Sequence, residues 1–166
     1  MTGCACPFAG ACGYLIRPAE SLVVNGFRLW VGGYQEGEIE RWNEAWNLFA
    51  ERLGEDEARD AVSQLAHWVR AVFHWRIDPI RCFASGCPHI GRDECLAVSM
   101  IAACQNRDGA CLDYCLERFC GFADRKEPLE AALSFASVLD ARGQRLMPVP
   151  CEVLRGLLEA PARTYH

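Results

Sequence analysis

The chain has 166 residues, the ordinary size of one domain, and its 51% hydrophobic and 23% charged residues exclude a disordered chain. The net charge of −5, with Arg and Lys scattered among acids, argues against a nucleic-acid partner, because such proteins neutralise phosphates with a basic patch. No apolar run approaches the ~20 residues of a membrane span, and Met1-Thr2-Gly3-Cys4 begins neither a basic nor an apolar leader, so a cytoplasmic protein is expected.

In chain order, residues 1–20 are rich in Gly, Ala, Cys and Pro without a period and read as an irregular arm. Residues 21–35 hold two apolar runs around Asn25-Gly26, a pair that suits a type I′ turn, so a short β-hairpin is expected there. Ile39, Trp42, Trp46, Phe49 and Leu53 recur at steps of three and four, one face of a helix that Gly54 closes. A second helix runs from about Glu55 to Trp75, with Ala58, Val62, Leu65, Val69 and Val72 inward and His67 and His74 on its polar side.

Residues 77–92, with two prolines and two glycines, read as an ordered loop. A third helix begins near Asp93 and carries Cys95 to Cys104. A short fourth helix carries Cys111 to Phe119, Glu127-Pro128 opens a fifth that Gly143 ends, and a last one follows Pro150. The expected architecture is therefore mostly α. It is a single domain over 1–166, a bundle of five or six helices with a short N-terminal hairpin and a cysteine-rich arm.

Eleven cysteines in a chain expected to sit in a reducing compartment point to metal or redox chemistry rather than a disulfide framework. They are not dispersed: seven fall between Cys82 and Cys120 and three between Cys4 and Cys12. Cys104, Cys111, Cys115 and Cys120 are spaced C-x6-C-x3-C-x4-C. Cys111 and Cys115 lie one helical turn apart, Cys104 can turn towards them across the Asn106–Gly109 break, and Cys120 sits beside Gly121. Four thiolates suit a [4Fe–4S] cluster or tetrahedral zinc.

The segment from Cys104 to Cys120 resembles the iron–sulfur loop of endonuclease III-type DNA glycosylases, whose four cluster cysteines are spaced C-x6-C-x2-C-x5-C. The overall reach is the same and the third cysteine is displaced by one residue. The resemblance covers about a tenth of the chain. It implies a cluster loop and not glycosylase activity, since no helix-hairpin-helix glycine motif or glycosylase catalytic pattern accompanies it.

Cys82, Cys87 and Cys95 form a second group, with His89 between the last two. They could complete a second site or pool with the first. Cys4, Cys6 and Cys12 form a third; in an extended segment residues two apart point the same way, so Cys4 and Cys6 can face one ion. Cys151 stands alone near a helix start and reads as packing. His67 and His74 are about 10 Å apart along a helix, too far to grip one ion. Gly32-Gly33 and Ser85-Gly86 lack the context of a phosphate loop or a nucleophile elbow.

The residues thus predict a cysteine-ligated metalloprotein, most simply iron–sulfur. Electron transfer, redox sensing or service as an accessory or maturation subunit of a larger metalloenzyme would follow, with another protein as partner. A zinc-stabilised interaction module and thiolate storage of Cu(I) are the alternatives.

Overall fold

The computed structural model describes residue 15 and residues 17–122 and 124–159. Among these, seven helices account for all regular structure: α1 (Pro18–Glu36), α2 (Ile39–Leu53), α3 (Glu55–Trp75), α4 (Arg92–Asn106), α5 (Gly109–Cys120), α6 (Lys126–Ala141) and α7 (Cys151–Glu159). The mostly helical expectation holds, with more helices than expected among the described residues. Cys4, Cys6 and Cys12 lie outside the described residues.

The hairpin expected over 21–35 is instead the body of α1. Pro18 starts this helix at a position where its missing N–H costs nothing, and Gly37, at φ 70°, ends it by donating to Gly33 O. Asn25 makes no turn; its side-chain amide donates to Ser21 O, one turn back, at 2.9 Å. Gly26 is needed for closeness rather than for turning, since a Cβ there would lie 2.8 Å from Phe49 Cε2 and 3.1 Å from Leu65 Cδ2. Leu22, Val23, Val24, Phe27, Leu29 and Val31 are all buried, so α1 is apolar on nearly every side and its run mimics a strand pair.

α1 packs on α2, α3 and α4; α3 also packs on α2 and α6, and α6 on α4. The buried side chains form one continuous cluster. Its centre is Trp68, fully buried, with ring centroids of Phe27 and Phe135 each 5.4 Å away. At the α1–α2 crossing Trp42 stacks on Trp30 and fills the space left by Gly33.

The 76–91 loop is fixed by a buried ion pair. Glu94, fully buried in the first turn of α4, receives Arg28 Nε at 2.6 Å, Phe83 N at 2.8 Å and Gly91 N at 2.6 Å. Arg28 also donates to the carbonyls of Cys87 and His89. Asn25 Oδ1 accepts from Gly86 N, and Asp93 Oδ2 from Arg81 N. A segment without helix or strand thereby satisfies its backbone through side chains.

α5 follows α4 after two residues and packs along it, and α7 lies against both. The extended approach to α7 is held by the Gln105 side chain, which accepts from Leu146 N and donates to Gln144 O, each at 2.8 Å. Leu154 and Leu158 bury the inner face of α7.

Candidate metal centre

Asp108 caps α5 by accepting from Cys111 N at 3.1 Å, which places Cys111 in the first turn with Cys115 one turn later. Both thiols are buried, at 1% and 0% exposure. Cys151, the first residue of α7, is half-buried beside the start of α5. The two segments are tied reciprocally: Cys111 Sγ donates to Val149 O at 3.7 Å, and Cys151 Sγ donates to Ala110 O at 3.9 Å. The Cys115 and Cys151 thiols both act on the ionisation of Cys111 at this junction.

These contacts separate the thiols electrostatically. The neighbouring Cys115 thiol holds the Cys111 pKa below the usual thiol value, against the opposing effect of burial. Cys115 is driven well above that value by its pairing with Cys111 and by burial, with Cys95 and Cys151 adding to it. Cys95, in the first turn of α4, is pushed up to about 11 by burial. The Ser99 hydroxyl makes no hydrogen bond of ordinary geometry, yet it lies one turn from Cys95 and favours that thiol's ionised form. From α7, Arg155 follows Cys151 by one turn and has its pKa raised by it, and its guanidinium stands 4.8 Å over the Tyr114 ring. The junction of α4, α5 and α7 therefore holds Cys95, Cys111, Cys115 and Cys151 with one cation.

The other predicted ligands lie elsewhere. At 3.6 residues per turn, nine positions along a helix is a rotation of roughly 180° beyond whole turns. Cys120 is nine positions after Cys111 on α5, and Cys104 nine after Cys95 on α4, so both face away from the junction. Cys104 is pushed up to about 12 by burial alone, and Cys120 to about 11 by burial opposed by Arg125. Neither is among the groups that act on Cys111 or Cys115.

Cys82, Cys87 and His89 sit on the clamped 76–91 loop, where burial, then Glu94 and Asp93, raise the Cys82 thiol. Cys82 also lines a cleft of about 800 Å³ with Arg81, Arg92, Asp93, Arg118 and Phe119. Among the described residues no three His, Cys, Asp or Glu side chains converge closely enough to hold an ion as they stand.

Cys151, Ser99 and Arg155 were not selected as site residues from sequence. Cys151 packs against the core as expected, but its thiol also bonds the carbonyl of Ala110, beside Cys111 and about 40 positions away in the chain, for which the sequence carries no local signal. No protein-family model, curated protein or solved structure matches the chain. No helix among the described residues is long and apolar enough to cross a membrane.

Proposed function

We propose that this chain is a cysteine-ligated metalloprotein centred on Cys111, Cys115 and Cys151, with Cys95 as the fourth thiolate. The observation that carries this reading is the gathering of three cysteines from α5 and α7 at one junction, where Cys111 and Cys115 are buried and Cys111 and Cys151 each donate to a backbone carbonyl of the other segment. Burial alone disfavours thiolate charge, and a bound cation reverses that preference by deprotonating its ligands. An iron–sulfur cluster is the first cofactor of this reading, since four thiolates are its usual donor set. Electron transfer, redox sensing or service to a larger metalloenzyme follows from it, with a protein partner.

Zinc is the second reading: one tetrahedral ion drawing the four thiolates together would join α4, α5 and α7. Cu(I), which takes two or three soft thiolates, fits the Cys111–Cys115–Cys151 group in the same way.

One preparation tests all three. The chain is purified without oxygen, its visible spectrum is recorded, and Fe, Zn, Cu and acid-labile sulfide are measured. Brown protein with matched iron and sulfide is expected for a cluster, a colourless protein with one zinc for the second reading, and copper uptake on Cu(I) loading for the third. The Cys111→Ser/Cys115→Ser variant should lose the metal, and Cys104→Ser/Cys120→Ser should keep it. Wild-type protein that binds no metal under any of these conditions removes the proposal.

A further inference from the structure

We propose that Cys111 and Cys151 form a reversible disulfide that ties α7 to α5 when the reduced protein meets a peroxide. The inference does not depend on a metal being present.

Geometry selects this pair. The reciprocal bonds from Cys111 Sγ to Val149 O and from Cys151 Sγ to Ala110 O bring each thiol to a backbone carbonyl within two positions of the other cysteine. Cys115 follows Cys111 on the same helix, where Cβ atoms one turn apart are about 5–6 Å from each other. A disulfide requires Cβ atoms about 3.5–4.5 Å apart, so the intrahelical bond would distort α5. Cys111 and Cys151 belong to different helices and can approach by a small shift of α7, a nine-residue helix held mainly by Leu154 and Leu158.

Access sets the order of events. Cys151 is half-buried, whereas Cys111 is 1% exposed. The Cys151 sulfur attacks hydrogen peroxide; an S–O bond forms, the O–O bond breaks, and the departing hydroxide takes a proton to become water. The Cys111 sulfur then attacks the sulfenic acid; the S–S bond forms, the S–O bond breaks, and a second water leaves. The two sulfurs are oxidised, the peroxide is reduced to two waters, and a dithiol reverses the reaction. The product closes a loop of about 40 residues, which removes freedom chiefly from the unfolded chain.

The test uses the full chain, reduced and stripped of metal with a chelator, then treated with one equivalent of hydrogen peroxide. Free thiols are alkylated and unreduced peptides are mapped by mass spectrometry. The expected result is a dominant Cys111–Cys151 peptide pair that disappears on reduction. Amide hydrogen exchange in α7 should slow on oxidation of the wild type and stay unchanged in Cys151→Ser. A dominant Cys111–Cys115 bond, any other dominant pair, an intermolecular bond, or a Cys151 that stops at sulfenic or sulfinic acid overturns the proposal. The wild-type map decides the matter even if the variant folds poorly. Metal content is measured on the reduced, unstripped protein, so failure of the metal reading is seen separately.

Discussion

Gly26 occupies the interior of α1, where glycine costs about 1 kcal/mol relative to alanine. Helix propensity therefore favours Gly26→Ala, and packing opposes it: the new methyl would meet the fixed rings and methyls of Phe49 and Leu65, both fully buried. Overpacking of this kind costs about 1–3 kcal/mol, so the variant is expected to lose stability. Gly32, six positions on in the same helix, is the internal control, because the nearest neighbour of a Cβ there is Arg41 Cγ at 4.0 Å. Gly32→Ala should gain up to about 1 kcal/mol. Urea denaturation of both variants measures the contrast; a Gly26→Ala protein more stable than wild type would show that α1 does not approach α2 and α3 as closely as described.

The elements differ in how openly the chain announces them. α2 and α3 each have a polar side, so their periodicity is plain, and Gly54, at φ 86°, divides them where expected. α1 is covered by three helices and has little polar side, which is why its run reads as a hairpin and its glycine as a turn residue. In the candidate site, Cys111 and Cys115 show in sequence because one helical turn relates them. Cys104 and Cys120 look equivalent in spacing, and only the continuity of α4 and α5 through them turns them away. The 76–91 loop was readable as ordered from its prolines, but not its clamp, since Arg28 and Glu94 are 66 positions apart. Arg28→Met is expected to strand the Glu94 carboxylate and to cost about 3–5 kcal/mol. Hydrogen exchange should report the loss first at the amides of Phe83 and Gly91, which Glu94 accepts. Unchanged protection at those two amides would mean that the clamp does not hold the loop.

Across the whole molecule, the buried thiols tie stability to alkaline pH. Cys104 and Cys120, outside the thiol junction, are raised by burial to about 12 and about 11. Each is neutral in the folded state at a pH where the unfolded chain has released its proton, so above the unfolded thiol value the unfolded state binds fewer protons. Stability is then fully present below about pH 8.5 and falls as pH rises towards the folded values, by about 1.4 kcal/mol per pH unit for each thiol. Lys126 is the only lysine, and arginine stays charged throughout this range, so few other cations titrate there. The tyrosines also titrate, and burial raises Tyr114 in the same direction, so the measurement must be differential. Denaturant midpoints recorded from pH 7 to 11 for wild type and for Cys104→Ala/Cys120→Ala should diverge at low pH and draw together above pH 9, as the wild type loses the contribution of its neutral thiols. Curves that stay parallel through that interval would mean these two thiols ionise as freely in the folded protein as in the unfolded chain, and that the sides of α4 and α5 turned away from Cys111 are wetter than their packing implies.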